Sequence, residues 1–388
     1  MTAVLAFVDG LGHDMQQDLP YLSTLRRARL RTELGYSVTC HASMYTGVAP
    51  REHGFWFLWQ RAPERSPFRW LRTARLDRLP DAPLLKVGLH RLTRARHRNT
   101  SFFGLPFPAH TPLALWPQLA PTETKLWPEP GYSAAHPTWF DRLRGRARVR
   151  VTGIAPREAA EACARIEALD ADPTLDLDYL FFGDVDPLCH RLGKDHAATR
   201  ERIARVDRAL DAHVRKYEAR GQRVEVLAWS DHGHHAVQRR VPIFPLLRAA
   251  GLDLHALPHV VDANYARFWP RTPAEEQRVR RALAGIDKGW VLDAETLAAY
   301  QVDFPDGRYG TLIFYLDEGA IFDKGPIRVL GRTFQNRDVS MHGYLPEREA
   351  SWGFVASTRP LPRAPHIRDI AGRVLDLAAP RAPLEVPA

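Results

Sequence analysis

Short apolar runs alternating with amphipathic stretches set the rhythm of this chain. Val4–Val8 is uniformly apolar and stops at Asp9-Gly10, which predicts a buried strand carrying an acid at its C-terminal end. The pattern returns at Arg148–Thr152, at Tyr179–Phe182 ahead of Asp186, and at Val224–Trp229 ahead of Ser230-Asp231-His232-Gly233. Leu19–Arg29, Pro156–Ala168 and Lys194–Arg220 have helical spacing, and Gly221 closes the last of them. Tyr36–Thr39 reads as a brief extended stretch and residues 41–46 as a short helix stopped by Gly47. Strands alternating with helices predict an α/β fold, with a central, mostly parallel sheet flanked by helices. Such sheets bind ligands outside the carboxyl ends of their strands, so Asp9, Asp186 and Asp231 are expected on one rim.

Residues 55–145 interrupt this rhythm. They hold six of the ten tryptophans, many Pro and many Arg, with little periodicity. This Trp/Pro-rich insertion is expected to form a lid or wall over the rim, or to stack a substrate ring. Within it, residues 84–98 form a basic amphipathic stretch suited to peripheral contact with an anionic membrane. Residues 260–335 read as strand, helix, helix, strand (Val260–Phe268, Pro273–Ala284, Ala294–Tyr300, Thr311–Leu316), a small α+β cap subdomain. A strand at Trp352–Ala356 and a helix at His366–Ala378 follow. The expected organisation is one large core, residues 1–259 and 336–388, carrying the 55–145 insertion and the 260–335 cap.

Composition narrows the class. With 45% hydrophobic and 26% charged residues in 388, the chain is neither disordered nor fibrous. Three scattered cysteines (Cys40, Cys163, Cys189) exclude a disulfide framework or a Cys-rich metal site and fit a reducing compartment. The N-terminus lacks a signal-peptide pattern, and no apolar run approaches the ~18 residues of a membrane span. A soluble, cytoplasmic protein is expected. The net charge of +9 is almost all arginine, 48 Arg to 6 Lys. It fits an anionic partner without separating phosphate ester from membrane or nucleic acid. Seventeen histidines leave the question to spacing.

Five segments decide it. They are Asp9-Gly10; Ser37 to Thr46-Gly47 with Pro50 and His53-Gly54; Asp186-Pro-Leu-Cys-His190; Ser230-Asp231-His232-Gly233; and His342-Gly343-Tyr344. Each alone is weak. In this order they resemble the type I phosphodiesterase/nucleotide pyrophosphatase family of the alkaline phosphatase superfamily. The resemblance implies an alkaline-phosphatase-like fold and two Zn²⁺, with Mn²⁺ or another divalent ion as the alternative. One ion would be held by Asp9, Asp231, His232 and the nucleophile oxygen, the other by Asp186, His190 and His342. That set suits zinc's preference for four N and O ligands, and two such ions about 4 Å apart can clamp an in-line phosphoryl displacement.

The family nucleophile lies nine residues before the Thr of Thr-Gly, which gives Ser37, with Thr39 as the nearest hydroxyl alternative. His41 stands close enough in sequence to contact a bound anion. Cys40 replaces an Asn that often holds a phosphate oxygen in the family, and Cys189 replaces a Gly. His13, His234 and His235 are read as peripheral to the ligand set. The expected activity is hydrolysis of a small-molecule phosphate ester, with phosphodiester or pyrophosphate bonds favoured, through a covalent phospho-Ser37. The alternatives are phosphotransfer or phosphomonoester hydrolysis on the same fold, including action on a lipid-linked phosphate, and a non-catalytic anion- or membrane-binding protein. A nucleic-acid partner is not expected, and oligomeric state is not readable.

Overall fold

The structure, a computed structural model, describes residues 1–16, 19–96, 105, 107–159 and 161–379. Its centre is a six-stranded sheet. In chain order the strands are β1 (Thr2–Val8), β2 (Arg26–Leu30), β3 (Val149–Thr152), β4 (Leu177–Phe182), β5 (Val224–Trp229) and β6 (Gly353–Ser357). Their order across the sheet is β2-β6-β5-β1-β4-β3. β1 pairs in parallel with both β4 and β5, and β3 pairs in parallel with β4. β6 runs antiparallel between β5 and β2, so the sheet is mostly parallel, as the sequence predicts.

β1 is buried on both sides because its residues alternate between two apolar layers. Leu5 and Phe7 pack with Met44 of helix α1 (Ser37–Thr46) and with Trp127 and Trp139. Val4, Ala6 and Val8 pack on the opposite layer, among Ile203, Val206 and Leu210 of the long helix Ala197–Glu218. Residues 259–316 build a separate four-stranded antiparallel sheet with its own apolar cluster around Phe268, Phe314 and Leu316.

Four expectations need correction. Leu19–Arg29 is not a helix. The Asp207 carboxylate accepts the N–H groups of Tyr21 (3.0 Å) and Leu22 (2.9 Å), turning the chain there, and Arg26–Leu30 then takes the open edge of β6. An arginine-rich strand suits a sheet edge. Tyr36–Thr39 is not extended throughout, because helix α1 begins at Ser37. The β-branched Val38 and Thr39 disfavour a helix locally but are fully buried, and Thr39 Oγ1 donates to the Trp56 carbonyl. Pro156–Ala168 forms two pieces, Pro156–Ala159 and Ala162–Ala168, with residue 160 outside the described residues. Val260–Phe268 is a hairpin of His259–Val261 and Tyr265–Phe268, bent at the polar Asp262 and Asn264.

The tryptophans of residues 55–145 are mostly interior. Trp127 and Trp139 complete the main core, Trp56 packs with Tyr309 and Tyr265, and Trp59 and Trp116 form a further cluster with Phe68. These five are therefore not disposed to stack a substrate ring. The basic stretch forms the helix Pro83–Arg96, and residues 97–98 lie outside the described residues.

Candidate metal centre

Because β1, β4 and β5 are adjacent and parallel, the turns that follow them open on one rim. Asp9 follows β1, Asp231 follows β5, and Asp186 opens helix α2 (Asp186–Leu192) after β4. Gly10 adopts φ +72°, and a Cβ there would lie 2.9 Å from Asp186 Cβ and 3.0 Å from His234 Nε2. The Asp-Gly pair thus combines an acid with the one residue that lets the neighbouring turn approach. Ser37 stands in the first turn of α1.

Three sets of ligand atoms lie close enough to share a cation, Asp9–His41–Asp231, Asp186–His232–His342 and Asp186–His190–His234, and they divide into an Asp9–Asp231 side and an Asp186 side. On the first side, Ser37 Oγ lies 2.9 Å from His232 Nε2, which is 3.2 Å from Asp231 Oδ2 and 3.7 Å from Asp9 Oδ1. On the second, Asp186 Oδ1 is approached by Nε2 of His234 at 3.0 Å, His190 at 3.3 Å and His342 at 3.7 Å. Donors 2.0–2.1 Å from a tetrahedral ion stand about 3.3 Å from each other, so the spacings suit a shared cation. The second nitrogens of two of these rings are engaged by the backbone. Nδ1–H of His190 donates to the Ser340 carbonyl (3.0 Å), and that of His232 to the Gly233 carbonyl (3.2 Å). This leaves each Nε2 facing the carboxylates, the arrangement typical of metal-ligating histidines.

The carboxyls and imidazoles shift one another's protonation. Burial raises the Asp9 carboxyl well above its ordinary value, and the neighbouring Asp231 and Asp186 push it further. Burial acts the same way on Asp186, but the charge and hydrogen bond of His190 outweigh it and hold Asp186 well below 3.8. Against burial, His232 and His41 likewise hold Asp231 below its usual range. His190 rises to about 9: burial would lower it, and the Asp186 carboxylate overrides that. Asp9 Oδ1, Asp231 Oδ2 and His342 Nδ1 are buried with no hydrogen-bond partner among the described residues. Buried oxygens without partners are costly, and a divalent cation would satisfy the two carboxylates.

The profile of the type I phosphodiesterase/nucleotide pyrophosphatase family matches residues 3–345, from β1 past the last of these histidines. The chain belongs to this family. Its enzymes are hydrolases of phosphodiester and pyrophosphate bonds. No curated protein sequence matches the chain significantly. Among solved structures, the fold is similar to murine ectonucleotide pyrophosphatase/phosphodiesterase 5, with a TM-score of 0.63 and 14% identity over 97% of this chain and 95% of that one. An inactive form of the murine protein in complex with AMP gives 0.62 at 15% identity, with the same coverage. The human protein gives 0.61 at 14%, again over 97% and 95%.

Against this family pattern, two residues stand differently from expectation. His234, read as peripheral, is fully buried and faces Asp186, with Nδ1 3.1 Å from Ser340 Oγ. Its immediate succession to Asp231-His232-Gly233 was the available signal. His41, expected to face an anion, is fully buried; its Nε2 lies 3.5 Å from Asp231 Oδ2 and its ring is edge-on to Trp127. Cys40 Sγ turns inward to Thr32 Oγ1 at 3.0 Å, so it does not stand in for the missing Asn. His13 pairs outward with Glu349, and His235 with Ser351 and Glu318.

Proposed function

We propose that this chain is a divalent-metal-dependent hydrolase that uses Ser37 as nucleophile on a small-molecule phosphodiester or pyrophosphate. The reading rests on Ser37 Oγ standing 2.9 Å from His232 Nε2, inside the Asp9–Asp231 group and beside the Asp186 group. Asp9, Asp231, His232 and Ser37 would hold one ion; Asp186, His190 and His342, joined by His234, would hold the other. Nitrogen and oxygen donors without thiolate suit Zn²⁺, with Mn²⁺ as the alternative. Bound ions would supply Lewis-acid stabilisation of the transferring phosphoryl group and lower the pKa of a coordinated hydroxyl or water.

The chain's own residues do the rest. Oγ of Ser37 attacks phosphorus in line, the bond to the leaving oxygen breaks, the hydroxyl proton goes to the leaving group, and the phosphoryl group, still carrying its other substituent, becomes an ester of Ser37. Water then attacks the same phosphorus, the Ser37 Oγ–P bond breaks, and the hydroxyl is restored. Ser37 is favoured over Thr39 because Thr39 Oγ1 donates to the Trp56 carbonyl. The AMP in the related murine structure favours a nucleotide-type substrate. The cytoplasmic reading is supported by three free, buried cysteines; among the described residues no helix is long and apolar enough to cross a membrane.

The test is a substrate panel on metal-reconstituted protein: aryl phosphomonoester, aryl phosphodiester, dinucleotide, nucleotide sugar and aryl sulfate. Fastest turnover is expected on a diester or pyrophosphate, with an adduct on Ser37 after rapid quenching whose mass is that of the phosphoryl group plus its retained substituent. Turnover unchanged in Ser37→Ala would overturn the reading.

A further inference from the structure

Away from the metal centre, a cavity of about 430 Å³ opens between the Pro83–Arg96 helix, the segment following Phe244 and the hairpin Ile327–Phe334. None of the metal-centre carboxylates or histidines lines it. Four basic side chains do: Lys86, Arg248, Lys324 and Arg328. Two acids also line it, Asp81 and Asp253. Asp81 is already engaged, pairing with Lys86 at 3.0 Å and His255 at 3.1 Å and accepting the Leu113 N–H. Asp253 Oδ1 accepts the His255 backbone N–H.

Arg248, Lys324 and Arg328 form no ion pair among the described residues, and Lys324 has only a long 3.4 Å hydrogen bond to the Val261 carbonyl. His259, 2% exposed, also lines the cavity, and its Nε2 has no hydrogen-bond partner among the described residues. Three cations without an ion pair among the described residues thus line one cavity with no carboxylate to match them, while His259, whose Nδ1–H donates to the Leu257 carbonyl, adds only an acceptor nitrogen. A phosphate presents several acceptor oxygens and is the group such donors bind best. Phe244 and Phe107 supply apolar walls. The elements that flank it also carry exposed apolar side chains: Leu84 of the helix is 53% exposed, and Leu330, at the hairpin tip with φ +47°, is 81% exposed.

We propose that this cavity is a second anion site, separate from the metal centre, that binds the phosphate of a small molecule or of a lipid headgroup through Arg248, Lys324 and Arg328. Calorimetric titration of the metal-loaded protein with inorganic phosphate tests it, alongside Arg248→Ala/Lys324→Ala. The wild type should bind a second phosphate per chain. The double variant should hold it about tenfold or more weakly, with turnover of an aryl phosphodiester unchanged. Arg248→Glu/Arg328→Glu, at two exposed positions, repeats the comparison without disturbing the interior. Co-sedimentation with phosphatidylcholine vesicles, with and without phosphatidic acid, separates the sources. Binding that needs phosphatidic acid and is lost in both variants assigns a headgroup; titration without vesicle binding assigns a soluble phosphate. A single phosphate per chain with no vesicle binding overturns the proposal, as does a second site equally strong in both variants.

Discussion

The rings of His232 and His342 lie face to face, with centroids 3.7 Å apart and planes within 7°. The contact joins the turn after β5 to a segment more than a hundred residues later. It places one histidine from each ligand group side by side. Burial, reinforced by His232, pushes His342 well below its ordinary pKa, so its ring is neutral and able to ligate. His342→Ala should remove one metal equivalent per chain, read by elemental analysis after dialysis. Full metal content in the variant would contradict its place in the second group.

Ser37→Ala should lower kcat by at least about 10³-fold, the scale of losing a covalent nucleophile. Thr39→Ser should retain most activity, because Oγ1 can still reach the Trp56 carbonyl. Steady-state kinetics on an aryl phosphodiester distinguish the two hydroxyls.

Metal should stabilise the fold as well as the reaction. Asp9, Asp186 and Asp231 are held close with mutual repulsion on Asp9. A ligand at roughly a hundredfold excess over its Kd adds about 2.7 kcal/mol, so zinc should raise the Tm of chelator-treated protein by several degrees. Asp9→Asn relieves the repulsion and removes a ligand. Its metal-free Tm should equal or exceed that of the wild type, and its response to zinc should be smaller. A full zinc response in the variant would argue against Asp9 as a ligand.

His190 sets a pH dependence in the metal-free protein. Its folded-state value of about 9 lies above the ordinary 6.5. The stability this contributes is complete below pH 6.5 and is lost as pH rises toward 9. His234, brought down to about 4 by burial, acts with the opposite sign below pH 6.5. His190→Gln should therefore flatten the decline in Tm between pH 6.5 and 9, and equal slopes in both proteins would count against the Asp186–His190 pairing.

Tyr36 ties the nucleophile helix to the 259–268 hairpin. Its hydroxyl accepts the N–H groups of Ala263 and Asn264, both at 3.1 Å, and donates to Asn264 Oδ1. Asn264 Nδ2 in turn donates to the Gly343 carbonyl at 3.0 Å, next to His342. Tyr36→Phe strands those buried N–H groups and should cost about 1–3 kcal/mol, measured by urea unfolding. A fall in kcat with KM held would show that the loss reaches Ser37.

The apolar runs of β1, β4 and β5 were legible because strands buried on both faces admit little else, and the acids after them followed from the same rule. Ser37 was legible only through family spacing, since its helix starts at residues whose local preference is extended. The burial of His41 and the approach of His234 to Asp186 were not readable, as both depend on which side chains meet across the rim. Nor was β2: its pairing is with residues 353–357, and nothing within Leu19–Arg29 encodes that partner.

That pairing also governs the order of assembly during synthesis. β6 lies between β5 and β2 and, among the described residues, is the only strand of the central sheet bonded to β2. A nascent chain emerging from the ribosome therefore carries β2 unmatched until residue 357 is exposed, and lacks His342 for nearly as long. Through most of translation the three acids of the rim are made before the segments that complete their surroundings. Stalled or truncated products ending before β6 should be poor at folding and good substrates for chaperones and proteases.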